Sequence, residues 1–509
     1  MRNWKLLVAG LLIPFLLSAC DGSARQDAGV STTPGEVSVA SGQQQLAHDH
    51  WQDLAGLPFP GGYPTAESSQ RLFDELDFQR AVQVYLWALP AVNIDAMRRG
   101  SEAAFGAGNH ILPVWKDRLN SQTRVTTPNS DVVYAMSYLD LKDGPVVVEV
   151  PPRLQGLFDD FWHRPIADVG FVGPDRGKGG KYLLLPPGYQ GEEPGGYFTF
   201  RSPTYRVFLF WRGFLVDGKT DDAVQLIEQT RVYPLGGKGS APAMVFPNAS
   251  EKPANMLVSH DINYFRQLKE FIDYEPVDRE DFAMRGMMAT LGIIKGQPFE
   301  PDERMQLILN RAADVAWKTA SVQRYERRIP GTRRYEDRQY DEGFIGGSEV
   351  FEGDTYLNLD TRTAFFRFAY SSSPGMVVDM VGKGSKYPLT FKDADGNFLM
   401  GEHSYKLHLP KNIPAENFWA VTLYDAPSAA GVAKPGQPIP SINSQEDLAY
   451  NDDGSIDLYF GPALPPGAPA SNYIGTNEGE GFFVVIRLYS PGQAYFDKTW
   501  KPDDVIRLD

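Results

Sequence analysis

Apolar and polar positions in this chain alternate with a helical period in some stretches and a strand period in others. Over residues 68–89 the apolar residues Leu72, Leu76, Phe78, Val82, Tyr85, Leu86 and Leu89 recur at helical spacing. This predicts a long amphipathic helix with Ser68 or Ser69 as cap and Pro90 as its end. From Asp131 to about Trp211 the period is two: residues 132–138, 146–150, 182–185, 197–200 and 205–210 read as short strands, the first of them half-buried. Turn clusters such as Lys142-Asp143-Gly144 and Pro186-Pro187-Gly188 separate them. Helical spacing returns over about 261–326, where Met305, Ile308, Leu309, Ala312, Val315 and Ala316 trace one face. Residues 327–341, crowded with Arg, Glu, Asp and Tyr, read as a solvated connector. Beyond them, 406–409, 418–424, 456–460 and 482–489 alternate as strands again.

The pattern predicts a mainly β fold with α: two antiparallel β-sandwich or jelly-roll-like domains separated by a helical segment. The first covers 51–255 with its leading helix, the helical segment and connector 256–350, and the second 351–509. A chain of 509 residues is long enough for two or three such domains with sizeable cores. Residues 1–19 stand apart, because a charged start, Met1-Arg2-Asn3-Trp4-Lys5, precedes an apolar run from Leu6 to Leu17. That is the pattern of an export signal, too short for a comfortable bilayer span. The run ends Leu17-Ser18-Ala19-Cys20, which resembles the lipobox of bacterial lipoproteins; the resemblance implies cleavage before Cys20 and a lipid on its thiol. Cys20 is the single cysteine, so no thiol is left for a disulfide and stability rests on core burial. Residues 20–50 read as a flexible tether. The expected location is the bacterial cell envelope, with the chain anchored to a membrane through Cys20 and facing the periplasm. Asp21 resembles the signal that holds some lipoproteins at the inner membrane rather than the outer. A net charge of −15 argues against a nucleic-acid surface.

Several longer words narrow the architecture. "TTPNSDVVYAMSYLDL", "GPVVVEVPP", "KYLLLPPGY" and "YRVFLFWRGFLVDG" in the first half, then "DADGNFLMGEHSYKLHLP", "NFWAVTLYD", "NDDGSIDLYFGP" and "FFVVIRLYSPGQAYFDKTW" in the second, occur in this order. The chain resembles bacterial proteins that pair domain-of-unknown-function family 1254 with family 1214. The resemblance implies β-sandwich domains of jelly-roll character and no agreed reaction. One word departs from the pattern: where the family shows an Asn-Trp-Leu-Pro-like stretch, this chain has Asn472-Tyr473-Ile474-Gly475.

Candidate chemistry is sparse. The chain has no HExxH word, and His403 and His408, five apart on one hairpin, point to opposite faces, so no metal or other cofactor is expected. No Gly-x-Ser-x-Gly elbow is present, and Ser371-Ser372-Ser373 before Pro374-Gly375 has turn composition. The polar cluster ahead of the first strand remains. Asn129 and Asp131 suit an Asx-type entry to the strand, but Arg124 and Thr126 exceed what a turn requires. Arg124 beside Asp131 would hold that acid ionised as a base or orienting group, and His163 between Trp162 and Arg164 is the best general-base candidate. Thr126, Asn129, Tyr134 and Trp162, with Trp419, Tyr424 and Arg487 from the second domain, are the candidate ligand-binding residues. Two function classes follow. One is a lipid-anchored, metal-independent hydrolase acting on a polar or anionic small molecule or oligomer. The other is a non-catalytic module binding an envelope ligand or glycan, or a structural envelope protein.

Overall fold

The computed structural model describes residues 50–509; the signal segment, Cys20, Asp21 and the tether up to residue 49 lie outside the described residues. Contacts divide the chain after Leu72. The described part of the first unit holds α1 (His50–Ala55) and the first turns of α2 (Ala66–Phe105). Thr65, not Ser68 or Ser69, caps α2: its Oγ1 accepts the Ser68 N–H at 3.0 Å. The second unit runs from Phe73 to Asp509 and holds all the strands found among the described residues.

α2 does not stop at Pro90 but continues through it to Phe105. Proline removes one intrahelical bond and disfavours a helix interior. Here Ala88, Leu89, Ala91, Val92 and Ile94 are all fully buried around it, and that packing outweighs the local penalty. The strands of the first half are β1 (Thr123–Arg124), β2 (Val132–Asp140), β3 (Val146–Val150), β4 (Gln155–Asp160), β5 (Pro165–Val169), β6 (Gly180–Leu185), β7 (Phe198–Arg201) and β8 (Arg206–Phe214). After α3 (Asp221–Ile227) come β9 (Arg231–Pro234) and β10 (Ala254–Asn255). Two four-stranded sheets, β2-β8-β4-β5 and β7-β6-β3-β9, form the first sandwich, while β1 and β10 pair as a separate two-stranded parallel sheet.

The first sandwich is closed by alternation: Val133, Ala135 and Leu139 of β2 share one apolar core with Val146, Val148, Leu184 and Trp211. Its other face is not solvated. Val132, Tyr134, Met136 and Tyr138 join a second core built with α2, α4 (Ile262–Tyr274) and, beyond α5 (Phe282–Thr290), α6 (Glu303–Tyr325). β2 is therefore buried on both faces along all but its last residue, not half-buried as its alternation suggests, because the helical layer covers the outer face.

Residues 327–341 are not a solvated connector. Tyr335, Tyr340, Arg334 and Asp341 are buried, with Arg327 Nε paired to Asp341 at 2.7 Å and Arg334 Nη2 donating to the Tyr495 carbonyl at 2.6 Å. The charges persist in the interior because each has a partner. Then follow α7 (Leu359–Phe368), the single turn α8 (Pro374–Val377), β11 (Ser385–Lys386), β12 (Leu389–Thr390), β13 (Tyr405–Leu409), β14 (Ala415–Asp425), β15 (Ser441–Asn443), β16 (Ile456–Gly461), β17 (Tyr473–Gly475), β18 (Phe482–Pro491), α9 (Gln493–Phe496) and β19 (Ile506–Arg507). One sheet runs β11-β18-β14-β15 with β12 also on β18, and the other runs β17-β16-β13-β19. Leu407, Leu409, Trp419, Val421, Leu458, Val484 and Ile486 fill the space between them. The fold is mainly β with α, built on antiparallel sheets, as the periodicity predicts.

Candidate functional site

β2 and β8 pair antiparallel with Tyr134 opposite Arg212 and Met136 opposite Phe210. The pleat puts Tyr134, Phe210 and Arg212 on the face turned away from the first sandwich's interior. On β18 the residues Val484, Ile486 and Leu488 enter the second sandwich's core, so Phe483, Val485, Arg487 and Tyr489 take the opposite face. α7 contributes Ala364, Phe365 and Phe368. These four elements line a half-open cavity of about 110 Å³, completed by Thr127, Asn129, Arg324, Tyr370, Met376 and Tyr387 among others. Among the described residues its wall carries three guanidinium groups and no carboxylate or histidine.

The three cations are satisfied unequally. Arg487 donates from Nη1 to Thr422 Oγ1 at 2.8 Å and from Nη2 to the Tyr424 hydroxyl at 2.5 Å and the Pro128 carbonyl at 3.3 Å. Arg324 donates to the Glu342 carbonyl at 2.7 Å. Arg212 has only the thioether of Met376, 3.5 Å from its Nη2, and its Nε is buried with no hydrogen-bond partner among the described residues. Sulfur is a weak acceptor, and leaving a buried charged donor unpaired costs more than a neutral one. The phenols cannot supply negative charge near neutral pH. Burial pushes Tyr134 up to about 12, with Arg212 and Arg487 pulling against it, and burial likewise raises Tyr370 well above the usual phenol range. They remain hydrogen-bond donors. Thr127, a β-branched residue at φ +38°, is held in that strained conformation at the cavity edge by its N–H on the Ala429 carbonyl and its hydroxyl on the Phe368 carbonyl.

Of the residues singled out by sequence, Asn129, Tyr134 and Arg487 come together at this cavity, and Tyr424 holds Arg487 from behind. The proposed Arg124–Asp131 pair does not form. Arg124 reaches Ser428 at 2.9 Å and Asp425 at 3.6 Å instead, because β1 pairs with β10 and turns its side chain away from the strand entry. Asp131 is fully buried and saturated: it accepts from Arg118 Nη2 at 3.0 Å, Ser441 Oγ at 2.9 Å and Asn443 Nδ2 at 3.0 Å, and its N–H donates to Asn129 Oδ1 at 2.8 Å. Asn129 Nδ2 in turn donates to the Tyr489 hydroxyl. The stretch before β2 is thus a clamp between the sandwiches, with Asn129 shared between clamp and cavity. Thr126 is buried with no partner for its hydroxyl among the described residues. Trp162 packs on Trp87 at 4.6 Å between ring centres, and Trp419 lies in the second sandwich's core.

His163 sits off the cavity. Its Nδ1 accepts the Ser371 N–H at 3.1 Å and its Nε2 faces Asn93 Oδ1 at 3.1 Å, so the Nε2–H tautomer satisfies both ring nitrogens. Burial lowers its pKa to about 3. Asp159 lies 3.8 Å away and the serines of the 371–373 turn adjoin it, which gathers the residue types of a hydrolase triad. The relay geometry is missing: the imidazole meets a serine amide rather than a hydroxyl, and burial, followed by repulsion from Asp160, raises the Asp159 pKa well above the usual carboxylate range.

Arg212, the most telling residue, is absent from the candidates that sequence alone suggests. Its signal is nonetheless present: in "YRVFLFWRGF" Arg206 stands at the strand's start, but Arg212 lies further in, on the face that carries Phe208 and Phe210. Arg324, Tyr370, Tyr387 and the phenylalanines of α7 give none, since helix and loop positions converge there only through tertiary structure.

Comparison with known proteins supports the architecture. The crystal structure of the VPA0106 protein from Vibrio parahaemolyticus superposes with a TM-score of 0.51 at 16% identity, covering 85% of this chain and 100% of that one, which shows a shared fold. A putative uncharacterized protein from Burkholderia cenocepacia, at 12% identity and a TM-score of 0.38, covers 91% of this chain and 98% of its own. No curated protein matches significantly. Residues 110–234 match the family model described as protein of unknown function DUF1254 and residues 384–493 that of DUF1214, so the chain carries a segment of each family in the order its sequence words imply.

Proposed function

We propose that this protein is a lipid-anchored envelope protein that binds a small organic anion in the cavity between its two sandwiches. The observation that carries the reading is Arg212, a cation in an aromatic-walled cavity whose donors face a thioether and nothing else among the described residues. A bound anion would supply the missing acceptor and be held by a charge-assisted pair in a water-poor setting. A cavity of about 110 Å³ suits a small molecule rather than a glycan or oligomer. Hydrolysis draws less support, since the cavity wall offers no carboxylate or histidine as base among the described residues. The anchor rests on the Leu17-Ser18-Ala19-Cys20 word alone.

The test is thermal unfolding of the protein with and without small carboxylates. A ligand that binds only the folded state raises the midpoint with concentration, and Arg212→Met should remove the rise while the variant still unfolds cooperatively. Equal rises in parent and variant would sink the reading. Labelling cells with a radioactive fatty acid should mark the parent and not Cys20→Ser.

A further inference from the structure

We infer that the anion is a carboxylate carried on a single aromatic ring, the size and shape of benzoate. This deepens the anion-binding reading and rests on it. The head group follows from which edge of Arg212 lacks an oxygen partner. Nε and Nη2 form the edge of the guanidinium that presents two parallel N–H bonds, and these are the two nitrogens left with no partner and with a sulfur at 3.5 Å. A planar carboxylate matches that fork with both oxygens. Met376, a flexible side chain on the one-turn helix α8, covers the edge and can give way to it.

The body follows from volume and wall. An apolar cavity of about 150 Å³ accommodates benzene, so about 110 Å³, with Met376 able to move aside, fits one ring and not two. The end of the cavity remote in sequence from Arg212 is built of rings set at angles to one another: Phe368 and Phe483 meet at 85°, Phe368 and Phe391 at 62°, and Phe391 and Phe483 at 44°, with centres 5.0–5.7 Å apart. Such walls offer edges and faces to another ring in the orientations aromatic pairs prefer, an attraction that a saturated chain of equal area lacks. The unmet donors belong to one guanidinium and call for one acceptor group. Arg487 and Arg324 already donate to hydroxyl and carbonyl oxygens, whereas Arg212 has no oxygen partner among the described residues.

Isothermal titration calorimetry of the whole protein at neutral pH decides it, using benzoate, cyclohexanecarboxylate, hexanoate, benzamide and inorganic phosphate as probes. Benzoate should bind tightest, benzamide at least about tenfold more weakly for want of charge, and phosphate without detectable heat. Arg212→Met should weaken benzoate by at least about 30-fold. Arg212→Lys, which keeps a cation at the position but loses the fork, should lose at least about tenfold. If hexanoate, cyclohexanecarboxylate or phosphate binds as tightly as benzoate and still depends on Arg212, the aromatic carboxylate is wrong while the anion site stands. If none of the anions binds, or Arg212→Met binds benzoate like the parent, both fall.

Discussion

Asp131, fully buried, and Arg212, partly buried, are charges at the same junction between two sandwiches, and the protein treats them in opposite ways. Asp131 accepts from an arginine, a serine and an asparagine drawn from both sandwiches. Arg212, on the strand beside it, has a thioether and an unpartnered Nε. Desolvating either charge costs several kcal/mol unless hydrogen bonds offset it. For Asp131 the fold supplies that offset internally, which makes it a fastener. For Arg212 the fold supplies aromatic walls and the Asp168 carboxylate at longer range, but no hydrogen-bonded anion among the described residues, which makes it a receptor. The polar residues most visible in the sequence belong to the first kind, and chemistry is to be sought where satisfaction stops.

The comparison breaks most readily at Asp131. Asp131→Ala strands Arg118, Ser441 and Asn443 together and should cost about 3–5 kcal/mol, measured as the shift in urea unfolding. A loss under about 1 kcal/mol would mean that the clamp is not what joins the sandwiches. Asn129 belongs to both regions and separates them. Asn129→Ala removes the acceptor for the Asp131 N–H and the donor to Tyr489 and should cost about 1–3 kcal/mol. Asn129→Asp keeps the acceptor but puts a carboxylate on the cavity wall. It should stay nearer the parent in stability yet weaken any small carboxylate by at least about tenfold. Equal affinity in Asn129→Asp and parent would place the anion elsewhere.

Much of this fold was legible in the chain, and the limits of legibility have physical causes. The alternating runs that became β2, β3, β6, β8, β14 and β18 were readable because side-chain period alone sets which face is buried. β4 and β5 were not read, since Gln155-Gly156 and the turn at Trp162-His163 interrupt the alternation. That turn places His163 at φ +57°, a conformation only tertiary context sustains. Pro90 misled because local penalty was weighed without the packing around it. Residues 327–341 misled because charge composition does not reveal partners. The site was half legible for a related reason. Asn129, Tyr134 and Arg487 stand in recognisable words, but a cavity is defined by what converges on it, and Tyr370, Tyr387 and Phe365 come from segments remote in sequence from all three.

A third buried polar group sharpens the contrast between fastener and receptor. At the 371–373 turn, Asp159 Oδ1 and the Ser372 hydroxyl have no hydrogen-bond partner among the described residues, and burial, followed by repulsion from Asp160, favours the protonated form of Asp159. Its neighbours are Asp160 and Asp168, which repel the ionised form, and the neutral His163. Above the ordinary aspartate value of 3.8 the native state holds a proton that the unfolded chain has released. Stability should therefore fall with rising pH, by up to about 1.4 kcal/mol per unit. His163 has the opposite sign: it stays neutral in the fold to about 3 while the unfolded chain protonates near 6.5, so stability falls as pH drops through that interval. Asp159→Asn should remove the first slope and leave the second. Denaturant unfolding from about pH 5 to 8 reads it, and a parent–variant difference independent of pH would mean that Asp159 is ionised.

The smallest effect carries the most information. Asp131→Ala and Arg212→Met each remove one charge from the same junction, and a fold that relied on both would lose stability with both. Arg212→Met takes away a guanidinium that has no hydrogen-bonded anion among the described residues and leaves a side chain of similar reach against Phe210, whose ring lies 4.9 Å from the guanidinium carbon. The cation–π attraction to that ring is worth about 0.5–2 kcal/mol, and the relief of a partly buried charge with no hydrogen-bonded anion is of comparable size. The variant should therefore unfold within about 1 kcal/mol of the parent, on the stable side, in buffer without small anions. Adding a small carboxylate should then reverse the order, because only the parent gains from it. That crossing of stabilities separates a residue kept for a ligand from one kept for the fold. If Arg212→Met is destabilised by several kcal/mol in plain buffer, Arg212 is a fastener like Asp131 and the difference between the two regions disappears.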